Sequence, residues 1–401
     1  MANAWRSLPC KISELRLDIT LDCGQSFRWR EIQPGVWRSV LANKVWTLRQ
    51  NAHEILYQVH EDAPSLVDAS VKQEDCLEET EPKNSKKDQQ AAKPTVTGRK
   101  SKSKHVVIKQ EDAGINDVKK EKGDETNNNA VYSSILKDYF QLNVRLEKLY
   151  KTFKAADANF TKVCPGFPGV RVLRQDPTEN LFSFICSSNN NISRITGMVE
   201  TLCSTYGEKL AVLDGTPWYA FPSATALAHE GIEQELRDRG FGYRAKFINQ
   251  SAKFIKEQPE GWLEGLRGLA YEECHAELMK LPGVGAKVAD CVCLMSMDKT
   301  DAIPVDTHVW QIASRDYMPS LNKTKSLTDK VYKEIGAFFR GLFGEYAGWA
   351  HSVLFSADLK KFQSKSEGKK SPEKRNSRKQ DYGDAKKVKK EANGRKKIKK
   401  R

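Results

Sequence analysis

No Phe, Trp or Tyr occurs between Tyr57 and Tyr132, and the stretch from about Ala69 to Ala130 is dominated by Lys, Glu, Asp, Gln and Asn. A segment of that composition cannot bury enough apolar surface to offset the entropy lost on ordering. Residues 69–130 are read as a disordered charged insertion, and residues 360–401 as a disordered basic tail. The tail carries 19 Lys and Arg against 5 Asp and Glu, an excess of 14 that equals the net charge of the whole chain, +14, so residues 1–359 balance at zero. A body with no excess charge must grip a polyanion through local patches and backbone amides.

Residues 1–68 carry aromatic and β-branched residues in rough alternation at 25–29, 35–40 and 44–48, broken by Gly and Pro, which predicts an N-terminal antiparallel sheet domain. From Ser133 the period becomes helical, with Ile135, Tyr139, Leu142, Leu146 and Tyr150 three and four apart. Residues 131–150 are taken to continue the sheet domain and residues 151–359 to form a helical body. Its candidate helices are 176–201, 224–229, 243–255, 261–279, 286–296, 307–317 and 326–359. The expected class is α+β, a sheet domain followed by an α-helical body with a helix-hairpin-helix at 274–296. Nine cysteines follow no regular spacing, and the odd number argues against a secreted disulfide framework. No apolar run approaches a membrane span, and residues 1–10 lack a signal-peptide core. The expectation is a soluble intracellular protein with no membrane partner.

Chemistry concentrates in Leu278-Met279-Lys280-Leu281-Pro282-Gly283-Val284-Gly285-Ala286-Lys287-Val288-Ala289-Asp290. Gly283 and Gly285 permit a sharp turn and close backbone approach to another surface. The helix that follows would present unpaired N–H groups and its positive dipole end to a phosphate. Taken alone, such a turn fits a plain helix connection equally well. Lys287 on the first helical turn adds a nucleophile, provided that desolvation or positive potential keeps its amine neutral. Taken alone it fits a surface lysine or a phosphate contact. Cys291 and Asp290, four and three residues on, share its helix face by spacing.

Nineteen residues after Lys287 comes Asp306, within Ile303-Pro304-Val305-Asp306-Thr307-His308-Val309-Trp310. Asp306 has the position of a helix N-cap. A carboxylate there stays ionised, which also suits a partner to a developing sugar cation or a protonated amine.

The hairpin, Lys287 and the Pro-Val-Asp element together resemble the helix-hairpin-helix, Gly-Pro-Asp superfamily of base-excision glycosylases. Four further stretches are similar to eukaryotic 8-oxoguanine DNA glycosylases: Gly24-Gln25-Ser26-Phe27-Arg28-Trp29, the run from Phe182 to Ile195, Gly240-Phe241-Gly242-Tyr243-Arg244-Ala245, and Trp349-Ala350-His351-Ser352-Val353-Leu354-Phe355-Ser356-Ala357-Asp358. The resemblance covers nearly all of the chain outside the insertion and the tail.

That resemblance implies a bifunctional glycosylase and abasic-site lyase of base excision repair, acting on 8-oxoguanine opposite cytosine in double-stranded DNA. Lys287 would attack C1′, Asp306 would assist, and a Schiff base would lead to β-elimination. Asn189 would fill the space of the extruded base, Tyr243 would wedge the duplex, and Arg194 and Arg244 would read the orphaned cytosine. Gly24, Cys291 and Phe355 would form the base pocket, with His308 and Asp358 nearby. The Gly24 carbonyl would accept from N7–H, which 8-oxoguanine has and guanine lacks. At His351 this sequence departs from the family pattern, which has a glutamine. Sister families often hold a four-cysteine iron-sulfur cluster after the catalytic Asp, whereas the last cysteine here, Cys293, precedes Asp306. Neither a cofactor nor a catalytic metal is expected, the protein is expected to be monomeric, and the basic runs at 386–390 and 395–401 fit nuclear import. A glycosylase for alkylated bases or oxidised pyrimidines, or a noncatalytic DNA-binding module, remain the alternatives.

Overall fold

A computed structural model of the chain describes residues 4–60 and 121–363. Five strands, β1 (Arg6–Pro9), β2 (Arg30–Gln33), β3 (Val36–Leu41), β4 (Lys44–Gln50) and β5 (Glu54–His60), form an antiparallel sheet in the order β1-β5-β4-β3-β2. Ala42 and Asn43, both at positive φ, make the two-residue turn between β3 and β4, the geometry whose twist matches paired strands. One face buries Trp37, Trp46, Leu48 and Tyr57 against Tyr132, Leu136, Tyr139 and Phe140. Trp46 meets Tyr132 edge-on, with centroids 5.7 Å apart. The other face packs Val40 and Val45 on Ala211 and Trp218 of a second hairpin, β6 (Lys209–Leu213) and β7 (Thr216–Tyr219). Cover on both faces explains why β3 and β4 each bury four consecutive residues.

Residues 25–29 are not a strand. The Gln25 side chain takes the partner's place, donating to the Arg171 carbonyl at 2.7 Å and accepting from the Leu173 N–H at 3.0 Å. Most of the expected insertion lies outside the described residues, but its last ten residues are helical, within Glu121–Tyr139. A polar helix propagates readily once nucleated, and Tyr132 and Leu136 anchor this one. Residues 62–130 separate as a unit of their own, while the chain on either side of them makes one compact unit. Leu146 and Tyr150, expected with the sheet, belong to the helical core, as do Ile19, Cys23 and Phe27 from the N-terminal stretch. The residues of the expected tail past 363 lie outside the described residues. Before that point Phe362 is buried and Lys361 pairs with Asp22 at 2.7 Å.

Two expected long helices are each two helices. The first divides into Pro177–Ser187 and Ile192–Tyr206, where Asn189 takes φ +46° and Asn191 caps the second helix by accepting from the Arg194 N–H at 3.0 Å. The second divides at Gly344, φ +70°, into Asp329–Phe343 and Ala347–Asp358. The expected 261–279 helix is likewise broken, into Trp262–Gly265, a 3-10 turn and Tyr271–Leu278. Expected helix 307–317 is regular only over Thr307–Ile312 and widens to a π turn at Ala313–Tyr317.

Candidate active site

Tyr271–Leu278 and Ala286–Ser296 are the two helices of the hairpin, and Val284 N–H closes the turn on the Leu281 carbonyl at 3.1 Å. Gly283 holds φ +82°, and a Cβ there would stand 2.4 Å from Phe247 Cγ, so glycine is required twice over. Gly285, the N-cap of the second helix, has φ −95° and open space around it. No side chain caps this end, which leaves the first N–H groups available to an anion. Ser251 donates to the Pro282 carbonyl at 2.8 Å and ties the hairpin to the Arg244–Lys256 helix.

Lys287 is half-buried on the first turn of the second helix. Its Nζ lies 4.7 Å from the Phe184 ring centroid and 3.5 Å from the Ser187 hydroxyl. Asp306 caps Thr307–Ile312, accepting from the Val309 N–H at 2.9 Å. Both side chains line one pocket of about 60 Å³, whose walls include Gly24, Phe184, Cys291, His351 and Phe355. A larger cleft of about 760 Å³ beside Arg28, Tyr139 and Arg174 contains neither Lys287 nor Asp306. Chemistry rather than size selects the smaller one.

Burial pushes the Cys291 thiol up to about 11 against the opposing pull of Lys287, so it stands in the wall as a neutral thiol. Burial pushes the His351 imidazole down to about 4, with Lys287 adding to the effect and Asp306 opposing it. The ring is therefore neutral near pH 7, and neither nitrogen has a hydrogen-bond partner among the described residues. Gly24 takes φ +86° against Ile192.

Four residues expected at the DNA surface come together around the break before Ile192. Tyr243, 47% exposed, donates its hydroxyl hydrogen to the Ser188 carbonyl at 3.0 Å. Arg244 donates to the carbonyls of Ser188 and Asn189 and lies 4.6 Å from the Tyr243 ring centroid. Arg194 is exposed and donates to the Gly240 carbonyl at 3.2 Å. Arg244 is 3% exposed, with its Nε unpaired among the described residues.

Three residues lie away from the pocket wall. Asp290 turns from Lys287 into the protein, where the Tyr271 and Tyr332 hydroxyls hold it. Asp358 pairs with Arg315 at 2.9 Å. His308 is exposed, edge-on to Phe355 at 6.2 Å. Sequence reasoning did not assign Phe184, Ser187 or Met295 to the site, although Phe184 and Ser187 fall within the Phe182 to Ile195 motif. Among the described residues no group of three or more His, Cys, Asp or Glu side chains could hold a metal, and no helix is long and apolar enough to cross a membrane.

Residues 7–181 match the family model described as 8-oxoguanine DNA glycosylase, N-terminal domain, and residues 182–337 the model described as HhH-GPD superfamily base excision DNA repair protein. The N-glycosylase/DNA lyase of Saccharomyces cerevisiae is 40% identical over 262 residues, covering 59% of this chain and 69% of the yeast protein. N-glycosylase/DNA lyase OGG1 of Arabidopsis thaliana is 44% identical over 227 residues, covering 56% of this chain and 61% of the plant protein, so the chain spans under two thirds of that relative. Among solved structures, the 8-oxoguanine glycosylase/lyase of Clostridium acetobutylicum, in complex with double-stranded DNA containing cytosine opposite to 8-oxoG, is similar with a TM-score of 0.61 at 25% identity. It covers 89% of this chain and 98% of its own.

Proposed function

This chain belongs to the 8-oxoguanine DNA glycosylase family of the helix-hairpin-helix, Gly-Pro-Asp superfamily, and from that premise we propose that it excises 8-oxoguanine opposite cytosine from duplex DNA and then cuts the strand. The observation that carries this reading is the presence of the Lys287 amine and the Asp306 carboxylate in one pocket walled by Phe184, Cys291 and Phe355. An amine, rather than a residue that activates water, favours covalent chemistry.

The damaged nucleotide leaves the stack at a cost of a few kcal/mol, which the wedge at Tyr243, the filler at Asn189 and the pocket contacts offset. Hairpin amides at Gly283 and Gly285 hold the phosphate backbone without reading sequence. In the pocket the Gly24 carbonyl accepts from N7–H, Phe355 offers a face to the base, and His351 meets its pairing edge as a neutral ring. Neutral Lys287 attacks C1′, the C1′–N9 bond breaks, and its electron pair leaves with the base. The Asp306 carboxylate stabilises positive charge developing on the sugar. Ring opening gives a Schiff base on Nζ; loss of a C2′ proton then expels the 3′ phosphate. Arg194 and Arg244 donate to the acceptor edge of the widowed cytosine. The protein acts as a monomer in the nucleus, where the basic runs near its C-terminus direct it.

Single-turnover cleavage of duplexes with 8-oxoguanine opposite cytosine or adenine, with borohydride trapping in the same experiment, tests the proposal. Preference for cytosine with a covalent adduct that Lys287→Gln cannot form is expected. Base release without an adduct would remove the lyase step, and no excision would overturn the reading.

A further inference from the structure

The buried carboxylate of Asp290 has no part in the chemistry above. It stands one turn from Lys287 on the same helix, 1% exposed and outside the pocket wall. Its Oδ1 accepts from the Tyr271 hydroxyl at 2.6 Å and its Oδ2 from the Tyr332 hydroxyl. His275 Nε2 lies 3.7 Å from Oδ1. Burial raises the carboxyl above its ordinary range, and the two phenols, His275 and Arg340 oppose that shift. An apolar side chain would fill such a place at lower cost, so stability does not account for a carboxylate here.

Tyr332 supplies the reason. Its oxygen also accepts from the Val305 N–H at 3.4 Å, and the Ile303 carbonyl lies 3.4 Å away. Val305 immediately precedes Asp306. One hydroxyl thus bridges the helix that carries Lys287 to the segment that delivers Asp306. We infer that Asp290 and Tyr332 are positioning residues that set the Lys287 amine and the Asp306 carboxylate in register, a role that rests on the catalytic reading above. Tyr271 holds the other oxygen of the same carboxylate from the first hairpin helix, and among the described residues its hydroxyl bonds Asp290 alone.

This asymmetry gives the test. Tyr332→Phe and Tyr271→Phe each remove one hydroxyl from one carboxylate, but only the first cuts the link to residue 305. In single-turnover excision by the full chain, Tyr332→Phe is expected to slow the rate about ten- to a hundredfold while Tyr271→Phe stays within about threefold of the parent, with duplex affinity little changed in either. Equal rates for the two variants, both normal or both slow, would overturn the inference, because a merely structural carboxylate answers alike to either loss. A parent chain that excises nothing overturns the catalytic reading and this inference with it. Hydrogen exchange of the parent gives a second measurement that needs no folded variant. The Val305 amide should exchange slowly, and rapid exchange would overturn the bridge.

Discussion

The imidazole of His351 lies against the ring of Phe355, with centroids 6.2 Å apart and 27° between the planes. The pair forms one side of the pocket, and the histidine brings to it two nitrogens with no other partner among the described residues. A neutral imidazole gives a base one ring atom, where an amide gives both a donor and an acceptor. His351→Gln should therefore keep or raise 8-oxoguanine excision in single-turnover assays, and a large loss of rate would show that the imidazole itself is needed.

The same residue imposes a pH dependence on folding. Its pKa falls from 6.5 in an exposed histidine to about 4 in the folded protein. Between those values the unfolded chain takes up a proton that the folded chain refuses, so stability falls as pH falls through the window. The advantage in Tm of His351→Gln over the parent should grow steadily from pH 6.5 down to 4 and be flat above it. Parallel profiles would mean that the ring protonates in the folded state as it does in water.

Gly283 and Gly285 should part company when each is replaced by alanine. At Gly283 the new Cβ meets Phe247 and the backbone is left-handed, so a loss of about 1–3 kcal/mol is expected in thermal melts. At Gly285 the Cβ enters open space at negative φ, and stability should change by no more than about 1 kcal/mol. Duplex affinity should nevertheless fall for Gly285→Ala, because the methyl group stands at the helix end where the proposed function seats a phosphate. Unchanged affinity would move the phosphate elsewhere.

Asp306 combines two duties that different substitutions separate. Asn keeps an acceptor for the Val309 N–H, whereas Ala does not. Asp306→Asn should leave Tm close to the parent, and Asp306→Ala should cost about 1 kcal/mol of stability. Both should slow excision through loss of the carboxylate, measured below the melting transition. Normal excision by the Asn variant would reduce Asp306 to a cap.

Arg171, whose side chain is fully buried, donates to the Glu14 carboxylate and to the carbonyls of Glu14, Gln141 and Val144. Arg171→Met should destabilise by about 3–5 kcal/mol, because it removes the charge partner of Glu14 and this donor from the carbonyls of Glu14 and Val144, while the Glu14 carboxylate keeps only the N–H groups of Leu146 and Glu147. Denaturant titration measures this, and a loss under about 1 kcal/mol would mean that water replaces the guanidinium.

Local chemistry was the legible part of the sequence. Pro282, Gly283 and Gly285 announce a turn, and Lys287 and Asp306 stand near it in sequence, so the centre of the site could be read before any packing was known. The strands at 35–40 and 44–48 were legible for the same reason. Residues 25–29 have strand composition but pair through the Gln25 amide, a long-range bond that no local pattern encodes. Asp214-Gly215 between apolar runs is a hairpin signal that went unread, and both residues sit at positive φ in the turn from β6 to β7. The turn of Asp290 toward Tyr271 and Tyr332 was illegible, since its partners stand 19 and 42 residues away and the spacing from Lys287 suggested the other side of the helix.

The pocket draws one wall from Cys23, Gly24 and Gln25 and another from His351, Ser352, Phe355 and Ser356. During synthesis the first wall must wait for more than three hundred residues before the second leaves the ribosome. A chain that stops before the Ala347–Asp358 helix therefore carries the amine, Gly24, Phe184 and Cys291, but lacks the side of the pocket that His351 and Phe355 supply.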